Sequence, residues 1–104
     1  MASIINAQTT GGGGVSVTGD TSGSLALQTN NGTTALTLDT SQNATFVGWL
    51  KFPVYTVATL PTAGSAGRRA FVSNALTPVA LSAVVGGGAI TVPVYDNGTT
   101  WIVG

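Results

Sequence analysis

The chain is 104 residues long and contains no histidine, cysteine or glutamate; Asp20, Asp39 and Asp96 stand against Lys51, Arg68 and Arg69, for zero net charge. This inventory excludes disulfides and thiolate or imidazole metal sites, leaves a serine nucleophile without its usual base, and supplies no long-range field for nucleic acid or anionic lipid. A mean hydropathy of +0.41 also excludes the composition of a disordered chain.

A single chain of this size buries only part of its surface. Here the core material is thin, because small side chains dominate and only seven residues are aromatic. A monomer would leave much apolar area wet, so composition points to an oligomer in which copies share a core. The start, MASIINAQTT, lacks the basic region and apolar stretch of a secretory signal. The most apolar stretch, 78–94, is broken by Gly86-Gly87-Gly88 and by prolines, and falls short of the ~20 residues of a membrane helix. The expectation is a soluble protein made in a cytoplasm, with no membrane insertion.

Residues 1–14 read as an N-terminal docking arm ending in a glycine-rich linker. Ile4 and Ile5 are its candidate partner-docking residues, and Gly11 to Gly14 its hinge. A hairpin segment, 15–53, follows. Val15-Ser16-Val17 enters it as a strand, and Asp20-Thr21-Ser22-Gly23 is a turn. Asn31-Gly32 suits the centre of a type I′ turn, which pairs Leu27 with Leu36 and Leu25 with Leu38. With a period of two, these four leucines share one face. Turn formers 39–43 then lead into a third strand, Ala44–Val47.

The remainder, 54–104, reads as a C-terminal β module with strands at 69–73, 79–81 and 90–95. Pro93 places the last of these at a sheet edge or turns its nitrogen outward. Asn97-Gly98 as a second type I′ centre sets Val94 opposite Trp101 and Val92 opposite Val103, on one face, which makes Trp101 a core residue or a protomer-contact residue. No run of useful length shows helical periodicity. The fold class expected is all-β: short antiparallel hairpins and a meander, intertwined between copies.

Motifs that could carry chemistry are outweighed by structural readings. All three aspartates sit beside Ser, Thr, Asn or Gly, where an Asp side chain caps its own turn; neither a glycosidase pair nor a calcium site is favoured over that role. Arg68-Arg69 reads as a solvated strand edge or an intersubunit ion pair. The glycine runs lack the Lys-Ser/Thr or helix start of a phosphate loop, and the three Asn-X-Thr matches follow from composition. No enzyme activity, cofactor or metal is expected.

The stretch Gly19–Asn43 resembles a segment that recurs in tail-fibre and related structural proteins of tailed bacteriophages. Residues 57–61, 63–73, 85–88 and 92–104 are similar to a module found at the ends of such proteins. The resemblance implies a homotrimeric, β-structured appendage on a virion surface, made in a bacterial host cytoplasm, with a capsid or tail protein as its docking partner and no catalytic residues. The chain has no room for a fibrous shaft, so a short fibre or capsid decoration protein is the form expected. Leu25, Leu27, Leu36, Leu38, Val94 and Trp101 are the candidate oligomer interface. The alternative is an adhesin module that binds a host-surface glycan by stacking sugar rings on Trp49, Tyr55 or Tyr95. An enzyme acting on polysaccharide is the least favoured reading.

Overall fold

The computed structural model describes residues 2–11 and 13–104; Met1 and Gly12, both within the segment read as an arm, lie outside them. The chain is all-β and divides into two units, Met1–Leu50 and Lys51–Gly104, each built on one mixed sheet. The division falls three residues before the expected one at 53/54.

The first unit contains β1 (Ser3–Gln8), β2 (Gly14–Thr18), β3 (Leu25–Thr29), β4 (Thr33–Leu38) and β5 (Ala44–Phe46), in the sheet order β2-β1-β3-β4-β5. The expected arm is therefore not an arm. Its residues form β1, which pairs antiparallel with β2 and parallel with β3, placing Ile4 beside Thr18 and Ala26, and Ile5 beside Val17 and Leu27. The glycine run acts as a loop closure instead of a linker: Gly11, Gly13 and Gly14 take φ of 66°, 73° and 95°, and Gly13 N–H donates to Thr10 O. Residues without a Cβ adopt these angles at little cost, which lets the chain double back onto itself.

The leucine hairpin keeps the expected partners, Leu25 with Leu38 and Leu27 with Leu36. Its turn is different. Asn30, Asn31 and Gly32 all have positive φ (51°, 58° and 119°), and Thr29 pairs with Thr33 across a three-residue loop, with a bulge after Leu27 that absorbs the extra residue. Tertiary bonding explains the longer loop. Asn31 N–H donates to Ala7 O, while its side chain accepts from Thr9 N–H at 2.7 Å and donates to Thr9 Oγ1 at 2.6 Å. The turn is thus tied to the end of β1.

Register across the sheet sets Val17, Ile5, Leu27, Leu36 and Phe46 in one row spanning all five strands. The flanking rows on the same face contain Val15, Ala7, Leu25, Leu38 and Ala44. The opposite face presents Thr18, Ile4, Ala26, Thr37 and Thr45, with Ser16, Asn6 and Gln28 beside them. Among the described residues of this unit only Ala26 and Asn6 are buried. The sheet is a single layer, apolar on one side and mostly polar on the other.

The second unit contains β6 (Val54–Tyr55), β7 (Arg69–Ala75), β8 (Ile90–Asp96) and β9 (Trp101–Val103), ordered β6-β7-β8-β9, with β6 parallel to β7 and the other pairs antiparallel. Between β6 and β7 lies a single 3₁₀ turn, Val57–Thr59. Ala70, Val72, Ala75, Val94 and Trp101 form a buried core, covered by Val57, Leu60, Ala63 and Val84 from the connecting segments. Val94 and Trp101 are 1% and 8% exposed within their own chain. Of the two roles open to Trp101, the core is the one the structure shows, and neither residue forms the intersubunit surface expected of them.

Val92, Val94, Trp101 and Val103 do share a face, but the register differs from the expected one. Val94 pairs with Val103 and Asp96 with Trp101, so the connection is the four-residue turn Asn97–Thr100. Asn97 Oδ1 explains this, since it accepts from Thr99 N–H and Thr100 N–H at 3.0 and 2.8 Å and holds the wider turn closed. The shift of two residues preserves the face. β8 is an inner strand despite Pro93. The proline's partner across that ladder is Gly104, past the end of β9, whose N–H donates to Pro93 O; its missing donor falls where the ladder ends. Residues 79–81, expected as a strand, form a turn in which Leu81 has φ 67°. That turn delivers Val84 N–H to Trp101 O.

Gly88 packs directly against the backbone of Ala75 and Leu76, where an added Cβ would collide with main chain. Gly88→Ala is therefore expected to destabilise the second unit by about 1–3 kcal/mol, read as a lower urea midpoint with unchanged slope. Gly87→Val, where the space is open but φ is 101°, separates strain from collision.

Candidate functional site

The second unit's sheet places Asp96 at the end of β8 on the core face, fully buried. Its Oδ2 accepts from Arg68 Nη2 at 2.6 Å, Arg68 Nε at 3.2 Å, Gly64 N–H at 3.0 Å and Ser65 N–H at 2.9 Å. Its Oδ1 accepts from Gly98 N–H at 2.8 Å and Gly64 N–H at 3.2 Å. Desolvation raises the carboxyl pKa, but the Arg68 guanidinium and these backbone donors outweigh it and hold the group well below the usual carboxylate range. A carboxylate with both oxygens occupied by donors has no capacity left to take up a substrate proton. Asp96 thus exceeds its expected role as a turn cap, and the expected solvated or intersubunit role of Arg68 gives way to an internal ion pair.

Arg68 extends this knot. Its Nη2 also donates to Thr62 O at 2.8 Å, and the guanidinium lies 5.2 Å from the Trp101 ring centroid, a cation–π contact. Trp101 Nε1–H donates to Pro61 O at 2.7 Å. Segment 61–68 is thereby fastened to both sides of the β8–β9 turn.

The other two aspartates do cap turns. Asp20 Oδ1 accepts from Ser22 Oγ and N–H, and Asp39 from Asn43 and Ser41. Both carboxyl pKa values are lowered, by the Ser22 and Asn43 hydrogen bonds first. Among the described residues no three acidic, His or Cys side chains gather into a metal-holding group, and no helix is long and apolar enough to cross a membrane. Two enclosed oxygens, Asn6 Oδ1 and Asp20 Oδ2, have no protein partner and are the natural places for ordered water.

The three candidate sugar-stacking residues do not form one surface. Tyr55 packs against the second unit's core. Tyr95 points to the opposite face of β8, with its ring against Gly104. Trp49 is 99% exposed near the end of the first unit. A neutral cleft of about 290 Å³ lies instead beside Trp101, lined by Leu60, Thr62, Ala63, Val84 and Thr100 among others.

The larger feature is the apolar face of the first sheet. Leu25, Leu27, Leu36 and Leu38 lie on it and are half-buried, as the hairpin reading placed them. They are joined by residues that reading assigned elsewhere: Ile5 (39% exposed), Val15 (68%), Val17 (75%) and Phe46 (46%). Ile4 points to the other side. The alternation Val15-Ser16-Val17 was a local signal for this face. The parallel pairing of β1 with β3 had none, since its partners are some 22 residues apart in sequence.

Comparison of the chain with family models, curated proteins and solved structures finds no match.

Because Asp96 has a lower pKa folded than unfolded, its contribution is complete above the unfolded value of about 4 and is lost as pH falls towards the folded one. Asp20 and Asp39 act with the same sign. The thermal midpoint is expected to be flat from pH 7 to 5 and to fall below about pH 4. Asp96→Asn, which sets an amide N–H against several donors, should lower the midpoint at neutral pH by several degrees and flatten the acid limb. A midpoint in the variant equal to wild type at neutral pH contradicts the account.

Proposed function

We propose that the chain is a non-enzymatic structural protein of a tailed-phage virion: a short trimeric surface appendage, either a short fibre or a capsid decoration protein. Its partners are other copies of itself and a capsid or tail protein, and its place is the virion surface. One observation carries the assembly part of the reading. The first unit leaves an uncharged apolar sheet face without a covering layer, whereas stable β architectures bury such a face against a second layer. The arrangement of acidic groups agrees with a scaffold role, because each aspartate is committed to holding loops in place. The phage assignment itself rests on the resemblance of Gly19–Asn43 and of the C-terminal module to phage structural proteins. An anchor formed by a free N-terminal arm is not part of the proposal, since β1 is a paired strand.

The glycan-binding adhesin is retained as the second reading on one specific observation. Trp49 is 99% exposed, and an aromatic ring of that size is normally buried or held for a partner. Of the three residues first considered, it alone offers an open ring.

Particles purified through a density gradient decide between a virion part and a free protein. The chain is expected to co-sediment with them at a fixed ratio to the major capsid protein. Its absence from particles, with the soluble protein abundant in the lysate, contradicts the proposal.

A further inference from the structure

We infer that Asn31-Gly32 is a site of spontaneous covalent modification, at which the asparagine converts to aspartate and isoaspartate, and that Asp96 protects Asn97-Gly98 from the same reaction. The inference is independent of the virion reading above. It follows from two tripeptides of identical sequence held in different surroundings.

Asparagine is chemically labile, most of all before glycine, where no Cβ shields the following amide nitrogen. In this chain Asn31 and Asn97 alone among the asparagines precede glycine, and both stand in Asn-Gly-Thr. The reaction begins when the glycine N–H loses its proton to hydroxide and the nitrogen attacks the asparagine Cγ. A new N–Cγ bond closes a succinimide ring, the Cγ–Nδ2 bond breaks, and Nδ2 leaves as ammonia with a proton from water. Water then opens the ring. Cleavage of the new N–Cγ bond gives aspartate; cleavage between that nitrogen and the α-carbonyl gives isoaspartate, whose main chain runs through the former side chain. Overall, one water is consumed and one ammonia released.

The electrophile is held alike at both sites. Thr9 N–H donates to Asn31 Oδ1 at 2.7 Å, and Thr99 and Thr100 N–H donate to Asn97 Oδ1 at 3.0 and 2.8 Å. Each donor sits on the oxygen that gathers negative charge when Cγ is attacked. The nucleophiles differ. Gly32 is exposed, and its N–H donates to a neutral acceptor, Thr29 O, at 3.2 Å. Gly98 is half-buried, and its N–H donates to the buried Asp96 carboxylate at 2.8 Å. A charge-assisted bond of this kind is the stronger, and removing its proton sets two negative charges against each other away from water.

The consequence falls on the tie between the leucine hairpin and β1. Asn31 makes that tie through its N–H to Ala7 O, through Oδ1 from Thr9 N–H, and through Nδ2 to Thr9 Oγ1. Conversion to aspartate removes only the amide donor. In isoaspartate the backbone gains a carbon and passes through the group that Thr9 holds, so the turn and the tie no longer fit together.

Full-length protein aged in mildly alkaline buffer below its thermal midpoint, and in parallel in urea above the unfolding midpoint, tests this directly. Trypsin cuts after Lys51 and Arg69 and so places Asn31 and Asn97 on separate peptides, whose aspartate and isoaspartate are measured by mass spectrometry and isoaspartyl methyltransferase labelling. In the folded protein Asn31 is expected to convert about tenfold faster than Asn97, or more. In urea the two rates should converge, because the tripeptides are the same. Folded Asp96→Asn should convert Asn97 at a rate approaching that of Asn31; where this variant does not fold, the urea comparison carries the assignment. The isoaspartate form, separated by ion exchange, should show faster amide hydrogen exchange at residues 9 and 31, with the second unit unchanged.

An Asn31 that stays intact in the folded protein while converting in urea overturns the site. Equal conversion of both asparagines in the folded protein overturns the protection by Asp96, as does a difference that persists undiminished in urea. Unchanged exchange in the isoaspartate form overturns the stated consequence for the tie.

Discussion

An apolar sheet face in water must be covered, and the two units of this chain meet that constraint differently. The second unit covers its own face. Its connecting segments carry Val57, Leu60, Ala63 and Val84 over β7, β8 and β9, and the core that results buries Val72 and Val94 completely or nearly so. The first unit has connections too short to do this. Its loops are three to six residues long, enough to reverse the chain or, at 19–24, to pass the end of β1, so its material goes into one layer and the apolar side stays open. The difference follows from loop length, because a turn that only reverses the chain cannot also cross a sheet.

Covering loops need to be held, and in the second unit a single carboxylate does much of the holding. Asp96 gathers Gly64, Ser65, Arg68 and Gly98 around itself, and Arg68 passes the constraint on to Thr62 and Trp101. A buried charge is costly unless it is paired and hydrogen-bonded; here every donor comes from a segment that must be placed. The same feature removes the group from chemistry. The remaining two aspartates hold turns in the same way, Asp20 through Ser22 and Asp39 through Ser41 and Asn43.

Much of the fold was legible from local pattern. The leucine pairs of the first hairpin followed from Asn31-Gly32 and the alternation around it, and the one-sidedness of Val92, Val94, Trp101 and Val103 survived a change in turn length, because a slip of two residues restores the same face. What escaped was non-local. Residues 3–8 looked like a loose arm because nothing near them in sequence pairs with them except across a glycine run, and glycine in a sequence denotes freedom as readily as a tight reversal. Arg68 and Asp96 lie 28 residues apart, each next to residues that suggest a surface turn.

The alternation of apolar and polar residues, together with Asn-Gly turns, by itself determined that this protein is β-structured and that its strands are one-sided. Those properties depend on neighbours in the chain, where a period of two and a positive φ are written residue by residue. Only the tertiary structure decided which one-sided strands are satisfied and which are not. It buried Trp101 and Val94 within the chain, and it drew Ile5, Val15 and Val17 alongside the leucines. The physical reason is that a face becomes a surface only after strand order is chosen, and strand order is settled by pairings between distant segments.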